Sequence, residues 1–228
     1  VYDMASRILG SFDHKLADYA AKRFARDRIT VSTGTKINSI RKGAIELAEH
    51  ASPVKCGLVV WATGLTASPF IRQIGKQSLK MDSRQFRLLT DETFHVLTDS
   101  GAVKDVYAIG DCATIDSNDL PCTAQVAYQK ARYLSKSLNR SLAIKEKNAL
   151  TPPFQFQDRG MLAYIGGWRA IADLRTGQNH HFAQSGRGAW LFWRSAYFVM
   201  TVSVRNKILI PVYWFLTWIF GRDITRIE

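Results

Sequence analysis

The sequence predicts an α/β fold that ends in a pair of apolar helices. Two continuous apolar runs, at 58–62 and 106–109, are typical of strands buried on both faces of a sheet. An apolar period of helical spacing over 123–138 follows the second run, and the polar stretch at 139–153 predicts a linker or domain edge. Three short strands with glycine-containing turns are predicted at 154–156, 161–165 and 170–174, and an aromatic-rich apolar tail begins after Gly188. The predicted order is therefore an α/β region, a small antiparallel β region and two C-terminal helices.

The N-terminal part begins with a predicted helix and hairpin. Residues 13–26 have helical apolar spacing behind an acidic N-cap residue. The β-branched run at 29–33 predicts a short strand. Two further runs, 36–40 and 44–47, are separated by a basic turn that ends in Gly43, which predicts a hairpin.

The net charge of the chain is strongly basic, with 31 Lys and Arg against 19 Asp and Glu and a formal charge of +12. Such a balance is typical of proteins that bind nucleic acid or an anionic membrane surface. The sequence contains no basic stripe with interleaved aromatics of the kind that binds single strands. The apolar tail favours attraction to membrane lipids, and we expect no nucleic-acid partner.

Cysteine and histidine spacing argues against a metal centre or a dithiol site. The three cysteines form no C-x-x-C pair, and the five histidines have no H-E-x-x-H spacing. Unpaired cysteines of this kind suit a reducing compartment. The sequence therefore predicts no bound metal ion.

Two apolar stretches close the chain, at 189–204 and 208–220. A helix that crosses a membrane needs about 20 consecutive apolar residues, and both stretches are shorter. The first contains Arg194, and the second contains Pro211 near its start. Short helices that are rich in tryptophan and flanked by basic residues are typical of anchors in the membrane interface. The alternative is burial of both helices in a soluble core or a dimer interface.

Small and acidic residues stand where the two apolar runs end. Gly110 and Asp111 follow the second run, at the strand end where open α/β sheets bind ligands. Gly110 permits close approach of a cofactor to the backbone, and Asp111 can accept hydrogen bonds from sugar hydroxyls. Thr63 and Gly64 follow the first run in the same way. Each signal alone is weak, because a capping aspartate gives the same pattern, but two such ends strengthen each other.

A third signal lies where the predicted long helix begins, after Pro121. The amide groups of a helix N-terminus carry partial positive charge and stabilise an anion placed against them. Gln125 and Gln129 are four residues apart and share a helix face, with Tyr128 beside them. This helix end could tune a flavin, because the reduced ring develops negative charge along one edge. An ordinary polar helix surface is the alternative explanation.

Together these segments resemble the two-dinucleotide flavoproteins, in which an A-T-G strand end and a late G-D motif flank FAD. WATG at 61–64 and VYAIGDCA at 106–113 match both motifs. PCTAQVAYQKARYLSKSL at 121–138 resembles the A-Q-x-A-x-Q helix of type II, rotenone-insensitive NADH dehydrogenases. Residues 154–174 resemble that family's C-terminal β region in a form typical of fungal mitochondrial members, and the aromatic tail resembles its membrane anchor.

The resemblance implies a partial Rossmann-like flavoprotein of two dinucleotide-binding domains, followed by the small antiparallel β region and an amphipathic anchor-helix pair. The implied enzyme passes hydride from NADH to FAD and electrons on to ubiquinone, without pumping protons. It would be attached peripherally to the mitochondrial inner membrane. Membrane lipids are implied partners, and a second copy in a homodimer is a candidate partner.

The resemblance also assigns roles to individual residues. The catalytic residues, where quinone meets flavin, would be Gln125 and Gln129. The residues implied to contact FAD are Gly110, Asp111, Thr123, Ala124, Gln125 and Val126. Those implied to lie near the nicotinamide are Ala62, Thr63 and Gly64. Those implied to line the quinone passage are Gln125, Tyr128, Gln129, Tyr197 and Met200. Some relatives have His at position 128, so protons for quinol formation would here come from water.

The family requires two G-x-G-x-x-G fingerprints, one for FAD and one for NADH, and this sequence contains neither. Its first ten residues do not look like a natural amino terminus, which indicates a fragment. We therefore expect the chain alone neither to retain FAD nor to oxidise NADH. The expected parts are the end of the NADH-binding domain at 1–65, a second FAD-binding segment at 66–150, the β region at 151–185 and the anchor helices at 186–228.

Two other classes fit parts of the pattern. A soluble FAD-dependent pyridine nucleotide reductase, of the ferredoxin-reductase or apoptosis-inducing-factor kind, shares the A-T-G and G-D motifs. It lacks the A-Q-x-A-x-Q helix and the aromatic tail. A cofactor-free, membrane-attached binding protein would keep the run at 58–62 as core. Release from membranes at low salt favours the first class, and a flavin absorption band in the full-length protein excludes the second.

Overall fold

The computed structural model describes residues 1–48, 50, 52–75, 77–83, 87–144, 152–176, 180–201 and 203–221. In chain order the elements are α1 (His14–Arg26), β1 (Ile37–Arg41), β2 (Ala44–Leu47), β3 (Val54–Lys55), α2 (Pro69–Gly75), β4 (Leu88–Thr90), β5 (His95–Thr98), β6 (Gly101–Tyr107), β7 (Ala113–Ile115), α3 (Ala124–Ile144), β8 (Met161–Gly166), β9 (Arg169–Thr176), β10 (His180–Gly186), α4 (Arg187–Met200) and α5 (Val204–Phe220).

The chain forms two compact units. Unit 1 contains Val1–Val59 and Asp158–Glu228, and unit 2 contains Val60–Gln157. Unit 1 holds two antiparallel sheets, of order β1-β2-β3 and β10-β9-β8. Unit 2 holds one mixed sheet of order β6-β5-β4-β7, in which β4 and β7 run parallel. The fold is therefore mixed α/β with mostly antiparallel pairing.

In unit 1 the sheet β10-β9-β8 lies between two helices because successive residues of a strand face opposite sides. Ile171 of β9 packs with Leu16 and Ala20 of α1. Its neighbours Ala170 and Ala172 face the other side and pack against Ala189 of α4. All three alanines are fully buried, so α4 approaches the sheet closely.

Helix α1 and the first hairpin confirm their sequence predictions. Asp13 caps α1 by accepting a hydrogen bond from the backbone N–H of Lys15 at 2.9 Å. Strands β1 and β2 are joined by a turn in which Gly43 has a φ of +77°, a conformation that favours glycine. The strand predicted at 29–33 is absent. That segment contributes a single bridge, between Ser32 and Tyr2.

In unit 2 a small apolar core forms between α2 and the mixed sheet, where Ile71 packs with Leu88 and Val96. A second cluster is aromatic. Phe94 is fully buried, with its ring centroid 5.3 Å from that of Tyr133 and 5.1 Å from that of Phe154. This cluster ties α3 to the segment that leads out of the unit.

The prediction that two strands are buried on both faces of a sheet is wrong. Residues 58–62 form no strand, and Leu58 and Val60 are 81% and 80% exposed. An apolar run takes strand geometry only beside a partner strand, and none of the described strands pairs with it. Strand β6 ends at Tyr107 and lies at the sheet edge, so Val106 is 46% exposed and only Ala108 of the predicted run is buried.

The second half of the chain follows the predicted order with shifted boundaries. Helix α3 extends to Ile144, into the predicted linker at 139–153, of which 145–151 lie outside the described residues. Of the three predicted strands, two are present as β8 and β9. Residues 154–156 form no strand, and the third strand is β10, whose polar sequence HHFAQSG gave no apolar signal.

The predicted C-terminal helix pair is present as α4 and α5. No residue of α5 is buried. Large apolar side chains are exposed along it, including Tyr213, Phe215 and Trp218. Among the described residues, neither these helices nor any other is long and apolar enough to cross a membrane.

Candidate functional site

The Gly110-Asp111 motif forms a turn between β6 and β7 in unit 2. Gly110 has a φ of +82°, and a Cβ added there would meet nothing within 4 Å. The backbone of the turn is therefore open to a ligand on that side. The turn is closed by a hydrogen bond from the N–H of Ala113 to the carbonyl of Gly110 at 3.3 Å, and the Asp111 side chain is exposed.

Helix α3 begins with a hydroxyl cap. Thr123 Oγ1 accepts a hydrogen bond from the N–H of Val126 at 3.4 Å, and the Thr123 carbonyl accepts one from Ala127 at 3.0 Å. Val126 is buried, Gln125 is half-buried and Ala124 is exposed. The first turn thus anchors one side in the core and presents the partial positive charge of the helix N-terminus on the other.

The turn and the helix start are neighbours. The Cys122 thiol lies 4.0 Å from the carbonyl oxygen of Asp111. A cavity of about 230 Å³ opens beside the turn, and it is lined by Leu65, Thr66, Ala67, Ser68, Ile71, Arg87, Asp111 and Cys112. The segment that directly follows the A-T-G motif therefore shares a cavity with the G-D turn. Ala62, Thr63 and Gly64 themselves are exposed and irregular, with a φ of +84° at Gly64.

Arg87 is a cavity residue that the sequence did not reveal. Its guanidinium donates to Asp119 at 2.8 Å and to Asp82 at 3.1 Å, and the residue is only 5% exposed. Burial alone would lower the pKa of Arg87, but the hydrogen bonds to Asp119 and Asp82 outweigh it and raise the pKa above its ordinary value. No sequence pattern links these three residues, since Asp119 is 32 positions from Arg87.

Lys130 is a second buried cation in unit 2. It is 2% exposed, and its Nζ donates to the carbonyl of Ala113 at 3.4 Å and lies 5.7 Å from the centre of the Phe94 ring. Desolvation, followed by repulsion from Arg87, lowers the pKa of Lys130 below its ordinary value. Lys130 thus ties α3 to the strand that leaves the G-D turn.

The two glutamines predicted to share a face of α3 are hydrogen-bonded to each other, with Gln129 Nε2 3.4 Å from Gln125 Oε1. The Gln129 amide also donates to the carbonyl of Gln157 at 2.9 Å and accepts from its N–H at 3.0 Å. Gln129 therefore holds the chain at Gln157 against α3. Tyr128 points outward and is 55% exposed.

The remaining two predicted quinone residues lie in unit 1, on α4. Tyr197 lines an aromatic cavity of about 680 Å³, whereas Met200 is exposed outside its lining. The aromatic cavity is lined by Tyr164, Trp168, Trp190, Trp193, Arg194, Tyr197, Trp214, Phe215, Thr217 and Trp218. Its walls combine β8, the turn after it and both C-terminal helices, and its lining contains one charged residue.

Among the residues that the structure describes, no group of three His, Cys, Asp or Glu side chains could hold a metal ion. The exposed carboxylate of Asp111 lines the unit 2 cavity, and the open backbone at Gly110 and the N-terminus of α3 adjoin it. Together these groups suit a ligand that carries hydroxyls and a ring with negative charge.

Comparison with known proteins agrees with this geometry. Residues 1–131 match the pyridine nucleotide-disulphide oxidoreductase family, and residues 159–223 match the NDH2 C-terminal domain. The first match covers more than half of the chain, which therefore belongs to the pyridine nucleotide-disulphide oxidoreductase family. The second match and the relatives below confirm the resemblance to type II NADH dehydrogenases.

A probable NADH dehydrogenase of Dictyostelium discoideum is 34% identical over 98% of this chain and 46% of its own length. The mitochondrial external NADH-ubiquinone oxidoreductase 2 of Saccharomyces cerevisiae is 32% identical over 95% of this chain and 43% of its own length. The chain thus spans less than half the length of these curated relatives.

Among solved structures, NDH2 from Plasmodium falciparum in complex with NADH superposes with a TM-score of 0.85. The match covers 99% of this chain and 58% of that one, at 20% identity. At this identity the likeness shows the fold, and it extends over both units of the chain.

Proposed function

We propose that the protein to which this chain belongs is an FAD-dependent NADH:ubiquinone oxidoreductase that does not pump protons. The observation that carries the proposal is that the G-D turn adjoins the start of α3, where the Cys122 thiol lies 4.0 Å from the Asp111 carbonyl oxygen, and that Asp111 of the same turn lines a cavity. The relatives named as NADH dehydrogenase and NADH-ubiquinone oxidoreductase support the substrates.

The residues at this cavity fit part of an FAD. Drug-sized ligands occupy pockets of roughly 300–1,000 Å³, and the cavity of about 230 Å³ is smaller. FAD is larger than such ligands, so this chain would supply one edge of its site. The exposed apolar run at 58–62 supports the same conclusion, because it has the composition of a strand that a further part of the protein would cover.

When bound, FAD supplies the two-electron chemistry that connects hydride donation by NADH to reduction of a quinone. Asp111 would accept hydrogen bonds from the hydroxyls of its sugar-like chain, beside the open backbone at Gly110. The N-terminus of α3, at Thr123, Ala124 and Val126, would stabilise negative charge on the ring. Ala62, Thr63 and Gly64 would lie towards the nicotinamide of NADH.

Quinone would approach the ring from the side of Gln125 and Tyr128. Gln125 would position the quinone, and Gln129 would act mainly by holding Gln125 and the backbone at Gln157 in place. Tyr197 and Met200, on α4 of unit 1, stay proposed quinone residues. Tyr128 replaces any histidine at this position, so protons for quinol formation would come from water.

Helices α4 and α5 would attach the protein peripherally to a membrane, which we propose to be the mitochondrial inner membrane. Support comes from the exposed aromatic side chains of both helices and from the mitochondrial names of relatives. We propose residues 186–228 as the anchor, 151–185 as the small β region, 66–150 as an FAD-binding segment and 1–65 as the end of the NADH-binding domain. A homodimer through the apolar helices is part of the proposal.

The test uses the full-length protein, purified in detergent. NADH should bleach a flavin absorption band, and a soluble ubiquinone analogue should restore it. Gln125→Ala should slow the restoration while leaving the bleaching intact. Gln155→Ala, which removes an exposed glutamine of the same unit, is the matched control. A protein that lacks a flavin band, or whose band NADH does not bleach, would show the proposal to be wrong.

Membrane attachment is tested separately by washing membranes that contain the full-length protein. Low-salt washing should leave the protein bound, because apolar side chains hold it. Complete release at low salt would instead favour a soluble pyridine nucleotide reductase.

A further inference from the structure

Lys130 of α3 is a buried cation, and none of the carboxylates that the structure describes pairs with it. The residue is 2% exposed, and no ion pair among the described residues includes it. Asp119, a carboxylate that attracts it, is already paired with Arg87 at 2.8 Å. Desolvation, and then repulsion from Arg87, lower the pKa of Lys130, and an anion placed nearby would favour its charged form again.

The ammonium group of Lys130 lies directly behind the wall of the cavity beside the G-D turn. Its Nζ donates to the carbonyl of Ala113 at 3.4 Å. Ala113 follows Asp111 and Cys112 in the chain, and both of those residues line the cavity. Because consecutive Cα atoms are about 3.8 Å apart, Nζ lies within roughly 10 Å of the Cys112 backbone. The charge is therefore close enough to act on a ligand in the cavity.

The other neighbours of Lys130 do not supply a negative charge. Burial raises the pKa of Cys112, so this cavity residue is a neutral thiol at neutral pH. The centre of the Phe94 ring lies 5.7 Å from Nζ, and a ring face attracts a cation without carrying a net charge. Asp111 is exposed to water, which screens its carboxylate. The positive charge of Lys130 thus remains available to a ligand that gains negative charge.

We propose that Lys130 stabilises the negative charge that the flavin ring gains on reduction, and that it thereby raises the reduction potential of FAD. The inference rests on the proposed function, which places FAD at this cavity, and it adds a residue that tunes the flavin without touching it. The N-terminus of α3 acts in the same direction with about half a unit charge, whereas Lys130 contributes a full one. With an effective dielectric constant of about 20, a unit charge roughly 12 Å away changes such an equilibrium about tenfold.

The experiment measures the midpoint potential of the flavin in the full-length protein, purified in detergent, by reductive titration against a reference dye at neutral pH. Lys130→Met removes the charge and keeps an unbranched apolar stem in the buried site. It should lower the preference for reduced over oxidised flavin about tenfold, which corresponds to about 30 mV for a two-electron couple. Flavin should stay bound in this variant, because the oxidised ring carries no negative charge for Lys130 to stabilise.

Three further variants separate the charge of Lys130 from its structural contact. Lys130→Gln also removes the charge but can still donate to the Ala113 carbonyl, and it should lower the potential as Lys130→Met does. Lys130→Arg keeps the charge and should keep the wild-type potential. Lys136→Met removes an exposed lysine from the same helix and should leave the potential unchanged. Near-ultraviolet circular dichroism checks the fold, and if Lys130→Met does not fold, Lys130→Gln provides the same test.

Three results would overturn the inference. They are an unchanged potential in the neutral variants, an equal fall in Lys136→Met, and a fall in Lys130→Met that Lys130→Gln does not share. The last result would assign the effect to the hydrogen bond with Ala113 instead of the charge. A full-length protein without a flavin absorption band would overturn the proposed function and this inference together. An unchanged potential in a protein that has the band would overturn only the role of Lys130.

Discussion

The G-D turn region of unit 2 and the C-terminal helix pair of unit 1 differ in what their arginine side chains contact. Around the G-D turn, Arg87 is buried and holds two carboxylates of its own chain. In the helix pair, Arg194 lies against the rings of Trp190 and Trp214, and α5 has no buried residue. The buried charge beside the G-D turn is thus paired within the chain, whereas the exposed aromatic surface of the helix pair indicates contact with a bilayer or a second protein.

The largest expected effect comes from breaking the internally paired region. Arg87→Ala removes the buried cation that pairs with Asp82 and Asp119, and the Asp82 side chain is only 15% exposed. Removing one partner of a buried pair costs about 3–5 kcal/mol of unfolding free energy. Arg41→Ala removes an arginine that is 72% exposed from its pair with Glu46, and it should cost at most about 1 kcal/mol. Denaturant unfolding of the full-length protein measures both, and equal losses would contradict the account.

A smaller effect on stability, but a clear one on binding, is expected at the helix pair. Trp218 is 68% exposed on α5, so Trp218→Ser should change the unfolding free energy by no more than about 0.5 kcal/mol. It should reduce partitioning onto phospholipid vesicles severalfold, because tryptophan favours the membrane interface. Leu142→Ser, which changes a 77% exposed leucine of α3, is the control. Similar partitioning of the two variants would argue against attachment through α5.

The smallest expected effect is a pH dependence at Lys130. Its folded-state pKa lies below the ordinary value of 10.5, mainly because of desolvation. The unfolded chain therefore binds more protons between these two pKa values, and stability rises with pH across that window. Lys130→Met should lose this rise, so the wild-type protein gains stability relative to the variant as pH approaches 10.5. Thermal unfolding from neutral to alkaline pH measures the difference.

The matched control for that prediction is Lys136→Met, which removes an exposed lysine from the same helix. It should follow the wild-type pH profile. A Lys130→Met profile parallel to the wild-type one would show that Lys130 is not desolvated in the folded protein.

The same contrast explains which features the sequence could predict. Helix α3 and the hairpin of β1 and β2 depend on local periodicity and turn chemistry. The hairpin and the start of α3 were found at nearly the right boundaries, whereas α3 continues to Ile144, past its predicted end at 138. The run at 58–62 was mispredicted because a strand also needs a partner that periodicity does not report. Arg87 and Lys130 were missed because their contacts join residues that are distant in sequence.

The sequence predicted which site motifs are neighbours better than it predicted their local structure. The G-D turn does adjoin the start of α3, although the strand before it is an exposed edge rather than a buried centre. Arg194 was visible in the sequence only as a charge that interrupts an apolar run. Its position between Trp190 and Trp214 depends on the packing of α4 against α5, which no spacing rule gives.

Flavin retention by an Asp111 variant tests the central claim most directly. The full-length protein and its Asp111→Ala and Asp99→Ala variants should be passed through gel filtration, and the flavin-to-protein ratio measured. Asp99 is also an exposed aspartate in a turn of unit 2, so it controls for the loss of a surface charge. If the G-D turn contacts the flavin, Asp111→Ala should retain flavin about tenfold more weakly, because a charge-assisted hydrogen bond is lost. Asp99→Ala should retain flavin as the wild-type protein does. Wild-type flavin content in Asp111→Ala would contradict it.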